Sequence, residues 1–277
     1  MPSEFILKHK IECTGYKWDV AHPGALVCIV HGIGEHAMRY DAIAKFLNSK
    51  NYAVYAFDLP GHGKSPNPRG HIGSRAQVMG LIDSLLSAAR SGHPGIPVCI
   101  YGHSLGGNLV LKYRLESRDE TIFYMITSPW LILASPPPKA LLALSKVMAK
   151  LMPGMLVNTG LVAGHICSDE NVVQAYVKDP LVHGKISAVT GAERLQDSKE
   201  IIGKADVPKT PMLLMHGDDD HICSVEGSRL VASKAGDCCT YIEWAGCRHE
   251  IHNETIKQDV MNKMAEWLDK RTEKKGP

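Results

Sequence analysis

The stretch "VCIYGHSLGGNLV", residues 98–110, limits the fold more than any other part of the chain. An apolar, β-branched run is what a strand covered on both faces requires. The run breaks at Gly102, carries Ser104, and turns apolar again after Gly106. Gly-His-Ser-Leu-Gly therefore reads as strand, sharp turn and helix, with a serine hydroxyl held at the carboxyl edge of a sheet. So tight a turn leaves no room for side chains on its flanks, which is a reason for glycine at 102 and 106. A chance match in a glycine-rich loop would lack the strand before it and the helix after it.

The rest of the chain alternates to suit. Strands are predicted near 4–11, 16–20, 25–30, 52–57, 97–101, 121–127, 211–215 and 239–243. In 77–90, Val78, Leu81, Ile82, Leu85 and Ala89 share one helical face. Ile256, Val260, Met264, Trp267 and Leu268 do the same near the end, behind a predicted cap at Asn253. This alternation implies a largely parallel sheet covered on both faces, with an antiparallel start where no helix separates the first strands.

One interruption stands out. Between Thr127 and Pro211 lie about 80 residues, far more than an ordinary connection. Residues 1–128 and 201–277 are expected to form the core, and 129–200 an inserted cap. Its "SPPPKALLALSKVMAKLMPGML" should start a helix at the prolines and end it at Pro153-Gly154. Lys139, Lys146 and Lys150 fall on one stripe of that helix, with Leu141, Leu142, Leu144, Val147, Met148 and Leu151 over much of the rest. Two readings stay open: a helix at a lipid interface guiding an acyl chain inward, or one packed on its own domain. Met152 and Met155 suit a pliable acyl tunnel and equally a core.

Composition closes other routes. The 277 residues are 44% apolar and 22% charged with a formal charge of +2, which gives no electrostatic case for nucleic acid. "ALVCIV" (25–30) is far shorter than the roughly 20 residues a bilayer needs. The opening "MPSEFILKHKIEC" lacks a basic head before a long apolar stretch, so no signal peptide is expected. Eight cysteines without a CxxC pair, two of them (Cys28, Cys99) inside predicted strands, fit a reduced, cytoplasmic protein. "DLPGHGKS" has Asp58 where a phosphate loop needs glycine, and Pro66 replaces the third glycine of a dinucleotide fingerprint. "HEIH" spaces its histidines by three rather than the four of HExxH. No metal and no cofactor are expected.

A serine hydroxyl needs a base, and the base needs an orienting acid. In a strand–turn–helix setting of this kind the chain order is serine, acid, histidine. "PMLLMHGDDDHI" (211–222) supplies three carboxylates at a strand end, and "YIEWAGCRHEIH" (241–252) supplies His249 in a loop after the next strand. Spacing does not separate Asp218, Asp219 and Asp220; mutual repulsion should turn two of them toward solvent or a helix cap. The developing negative charge of acyl transfer needs two donors: the N–H of Leu105, after the serine, and the N–H of Ile33 in "HGIGEH" (31–36).

The motifs "HGIGEHAMRY", "DLPGHGKS", "GHSLGG", "HGDDDHIC" and "CRHEIH", in this order, resemble the α/β-hydrolase fold, in particular its monoacylglycerol lipase and lysophospholipase branch. The resemblance implies an α/β class: a mostly parallel eight-stranded sheet flanked by helices, with an inserted helical cap. It selects Asp220 as the acid. It implies that Glu35, Arg39, Tyr176 and His252 shape the alcohol side of the site, with Cys223 close by. Leu105 stands where a methionine often follows the serine, and Ile33 where a smaller residue often sits, narrowing the expected pocket. The implied activity is hydrolysis of single-chain lipid esters through an acyl-enzyme on Ser104, monoacylglycerol first and lysophospholipid second. The cysteine usage sets the expectation of a cytoplasmic protein, and the lipid-interface reading of the cap would add transient membrane-surface contact. A general short-chain carboxylesterase and a non-catalytic binding protein of the same fold are the rival expectations.

Overall fold

The computed structural model describes residues 1–138 and 147–272. Its frame is an eight-stranded sheet made of β1 (Ser3–Lys8), β2 (Glu12–Trp18), β3 (Ala25–Val30), β4 (Tyr52–Phe57), β5 (Val98–His103), β6 (Ile122–Thr127), β9 (Met212–Gly217) and β10 (Cys239–Trp244). The spatial order is β1-β2-β4-β3-β5-β6-β9-β10. β2 runs antiparallel to β1 and β4; every pairing from β4 onward is parallel. An α/β fold with an antiparallel start is what the strand–helix alternation required.

Strand periodicity explains the two cores. Every residue of β3 is buried, and successive side chains point to opposite faces. Leu26, Cys28 and Val30 join Leu81, Ile82 and Leu85 of α2 (Arg75–Gly92) and Leu109 and Val110 of α3 (Leu105–Glu116). Val27 and Ile29 join Ile43 and Leu47 of α1 (Asp41–Ser49) and Val260, Met264 and Leu268 of α7 (Lys257–Thr272). Each such aliphatic side chain contributes about 1.5–3 kcal/mol on leaving water. All eight cysteines are free.

Two local expectations need correction. β1 ends at Lys8 and β2 begins at Glu12, so the turn falls inside the expected first strand. That turn, residues 9–11, carries neither glycine nor proline to mark it. Asn253 does not cap α7, which begins at Lys257; it ends a short 3-10 turn, and its side-chain amide donates to Glu250 at 2.7 Å.

Between β6 and β9 the described residues form β7 (Leu156–Asn158), α4 (Glu170–Lys178), β8 (Lys185–Ser187), antiparallel to β7, and α5 (Ala188–Gly203). α5 lies on α3: Asn108 Nδ2 donates to Ser198 Oγ at 3.0 Å, and Lys112 reaches Glu200 at 2.7 Å. The boundary expected at residue 200 therefore falls inside a helix. Two backbone bonds, His183 N–H to Gly34 O and Ser187 N–H to Gly70 O, both 2.9 Å, fasten β8 and the residues just before it to the loops after β3 and β4. Gly34 has φ of 76°, and an added Cβ would lie 2.2 Å from His183 O. Lys139, Lys146, Leu141, Leu142 and Leu144, of the expected cap helix, lie outside the described residues; Lys150 is exposed.

The close approach of α3 to the sheet rests on glycine. A Cβ on Gly106 would sit 2.0 Å from Val30 O, and one on Gly102 2.6 Å from Gly106 O. Both obstacles are backbone and cannot rotate away. Gly106→Ala should cost at least about 3 kcal/mol. Differential scanning calorimetry should read this as a fall of about 6–12 °C in thermal midpoint; an unchanged midpoint would contradict the packing described.

Candidate active site

Ser104 sits between β5 and α3 at φ 54° and ψ −117°, backbone that a non-glycine residue adopts at a cost of about 1–3 kcal/mol. The surroundings impose it. Ser104 N–H donates to Thr127 O at 3.1 Å, while its carbonyl accepts from Asn108 N–H at 3.0 Å and Trp130 N–H at 2.9 Å. Ser104 lines a small cavity of about 20 Å³ together with Ile33, Glu35, Tyr176, His249 and Glu250.

The three aspartates after β9 part company. Asp218 is exposed and accepts from Gly246 N–H at 2.6 Å; Asp219 is exposed beside His221. Asp220 is buried, and both of its oxygens are occupied. Oδ1 accepts the N–H groups of Ile222 (2.8 Å) and Cys223 (2.9 Å); Oδ2 accepts from His249 Nδ1 (2.7 Å) and His216 Nε2 (2.9 Å). Burial alone would raise this carboxyl, but His249 and His216 hold it well below the usual carboxylate range. For His249, burial would depress the imidazole, yet the charges of Asp220, Glu250 and Glu35 outweigh it and leave it raised. His249 and Ser104 thus share one cavity, with no direct hydrogen bond between them. In an unliganded site such bonds commonly tighten only when substrate arrives.

The loop after β3 lies beside Ser104: a Cβ on Gly32 would be 3.2 Å from Ser104 Cβ. His31 donates from Nδ1 to Gly32 O (2.7 Å) and accepts Leu59 N–H at Nε2 (2.9 Å), which fixes its neutral tautomer. Asp58 accepts the N–H groups of Ala37 and Lys64, both at 2.8 Å, so "DLPGHGKS" buttresses this loop. Glu35 accepts Gly32 N–H at 2.6 Å, Tyr40 OH at 2.7 Å and Arg39 Nη1 at 2.8 Å. Ile33 lines the cavity, and Leu105, as the first residue of α3, has no intrahelical acceptor for its N–H.

The residues expected on the alcohol side separate into two groups. Glu35 and Tyr176 line the cavity; Arg39, Cys223 and His252 are not among its lining residues. Arg39 lies behind it, bonded to both oxygens of Glu250 at 2.7 Å and stacked on Tyr176 with 4.7 Å to the ring centroid. His252 stacks on Tyr40 and reaches Tyr101 OH at 3.3 Å. Three residues escaped the sequence reading: His103, which lines the cavity with its ring 4.8 Å from His249, His216 and Glu250. All three neighbour a motif residue already quoted, but nothing in their spacing marked them.

A family model described as serine aminopeptidase, S33, matches residues 21–256. An uncharacterised abhydrolase domain-containing protein of Dictyostelium discoideum is 34% identical over 91% of this chain, which spans about a quarter of that relative's length (27%). The monoacylglycerol lipase of Mycolicibacterium smegmatis is 31% identical, the match covering 89% of this chain and 88% of the relative. The solved structure of the Paleococcus ferrophilus monoacylglycerol lipase superposes with a TM-score of 0.87 at 33% identity, covering 94% of this chain and all (100%) of the other. The chain belongs to the serine aminopeptidase S33 family and is a monoacylglycerol lipase-like serine hydrolase of the α/β-hydrolase fold.

The buried imidazoles set a pH dependence. Burial holds His31 and His103 well below the usual value, His62 at about 3 and His252 at about 4. A histidine depressed in the folded state contributes stability that is present above about pH 6.5 and is lost as pH falls below it. His249 acts in the opposite sense, its contribution being full below about pH 6.5 and lost as pH rises through its raised value. The depressed set is the larger. The thermal midpoint should therefore fall between about pH 7 and pH 5.5 in scanning fluorimetry; a rise over that interval would contradict the neutral cluster.

Proposed function

We propose that this chain hydrolyses the ester bond of monoacylglycerols, releasing glycerol and a fatty acid through an acyl-enzyme on Ser104. The observation that carries the reading is one cavity lined by Ser104, by His249 with its bond to Asp220, and by Ile33 of the loop after β3. Ser104 Oγ attacks the ester carbonyl as His249 takes its proton, and Asp220 holds the imidazole and stabilises its charged form. The N–H groups of Ile33 and Leu105 receive the oxyanion. Glycerol departs with the proton from His249. Water then attacks the acyl-enzyme by the same route, regenerating Ser104.

The alcohol side supports a neutral leaving group. Arg39, the guanidinium beside the cavity, is already bound by Glu35 and Glu250 and offers no open charge to a phosphodiester. The carboxylates that could seat a peptide's terminal ammonium, Glu35 and Glu250, are already engaged by Arg39. Lysophospholipid and aminoacyl substrates are therefore the poorer fits.

The insertion supports contact with a lipid surface. Val147, Leu151, Met152, Val157, Val162 and Val177 are all exposed, Leu151 by 74%. Such apolar exposure suits a face that meets a lipid interface. Among the described residues no helix is long and apolar enough to cross a membrane, so the contact proposed is peripheral.

Two experiments test this reading. Ser104→Ala should lower kcat on monoacylglycerol about a millionfold, and wild-type kcat/KM should fall from monoacylglycerol to lysophosphatidylcholine and short nitrophenyl esters. Turnover confined to the nitrophenyl esters would instead assign a short-chain carboxylesterase. In the second, Leu151→Glu with Met152→Glu should slow hydrolysis of monoacylglycerol presented in vesicles while sparing soluble nitrophenyl acetate. Equal rates on vesicles would remove the interfacial role.

A further inference from the structure

We infer that Glu250 is a positioning residue that locks the loop carrying His249 to the loop carrying Ile33, one of the two proposed oxyanion donors. The inference rests on the proposed roles of Ser104 and His249. Glu250 directly follows His249 and is buried. Its carboxylate takes both Arg39 nitrogens at 2.7 Å in the two-point geometry that fixes direction as well as distance. Arg39 Nη1 also bonds Glu35 at 2.8 Å, and Glu35 accepts Gly32 N–H at 2.6 Å. A continuous path of three charged side chains thus runs from the residue after the base to the residue before Ile33. The two loops are 211 positions apart in sequence.

The path is anchored along its length. Asn253 Nδ2 donates to Glu250 at 2.7 Å, Glu250 N–H donates to Ile166 O at 2.6 Å, and Tyr40 OH holds Glu35 at 2.7 Å. Two carboxylates meet one guanidinium in a desolvated place, where burial and the Glu250 charge push the Glu35 carboxyl up while Arg39 holds Glu250 down. Such an arrangement is a poor source of stability, since well-packed apolar residues often do as well. Its position supplies a use, because base and oxyanion donors must keep a fixed separation through two attack steps. A misplacement of about 1 Å in such groups costs on the order of a hundredfold in rate.

The arrangement also has an electrostatic side. Asp220, Glu35, Glu250, Arg39, His103 and His252 surround His249. Removing the Glu250 charge takes away one of the carboxylates that raise the imidazole, so the acid limb of kcat/KM should move to lower pH.

The test compares Glu250→Gln and Glu250→Asp with wild type on monoacylglycerol and on p-nitrophenyl acetate, whose leaving group makes no demand on a glycerol pocket. A positioning role predicts that Glu250→Gln loses about 10- to 100-fold in kcat on both substrates, with the acid limb shifted downward. Glu250→Asp keeps the charge but retracts it by one methylene, and should lose rate without moving the limb. A change confined to KM for monoacylglycerol, or full kcat in Glu250→Asp, would overturn the inference in favour of an alcohol-pocket role. Should Glu250→Gln lack a cooperative thermal transition, the Glu250→Asp comparison decides alone. Ser104→Ala, run alongside, separates the two levels: activity surviving there would defeat the proposed function itself.

Discussion

The contact between Gly106 and the carbonyl end of β3 governs the geometry of everything above the sheet. A helix starting directly after a strand must pass its neighbour's backbone, and a hydrogen atom in place of a methyl group lets α3 do so. That approach puts Ser104 beside the loop after β3, so the hydroxyl and the N–H groups proposed to receive the oxyanion are set together. The left-handed backbone at Ser104 is the strain left by this arrangement. It persists because hydrogen bonds to Thr127, Asn108 and Trp130 hold the residue from both sides.

Charge is handled by enclosure. Asp220 is surrounded by donors on both oxygens, two from backbone and two from imidazoles, and so stays ionised in a place that would otherwise protonate it. Burial holds His31 and His103 well below the usual imidazole value. Of the two histidines that line the cavity, His249 is the one bonded to Asp220. Glu250 is likewise kept ionised, held at about 2 against its burial by Arg39.

Much of this was legible in the chain. The strand–helix alternation gave the parallel sheet, because parallel strands buried on both faces leave continuous apolar runs such as "ALVCIV". Ser104 and His249 could be picked out since each stands in a glycine-containing break just past a strand. Three adjacent aspartates could not be separated by spacing alone; their difference is one of burial, set by the turn that brings the Ile222 and Cys223 amides onto Asp220. His216 and Glu250 were invisible for a related reason. Their partners, Ser228, Asp220 and Arg39, become neighbours through tertiary folding, and no local period encodes that. The first hairpin was misplaced because its turn is built without glycine or proline, and the last helix because Asn253 turned to Glu250 rather than to the backbone ahead of it.

The backbone bonds from His183 to Gly34 and from Ser187 to Gly70 tie β8 and the residues just before it to the loops after β3 and β4. Gly34 directly follows Ile33, so a shift of β8 is carried straight to the chain beside Ser104. β7 pairs with β8, and the ribbon they form braces that chain.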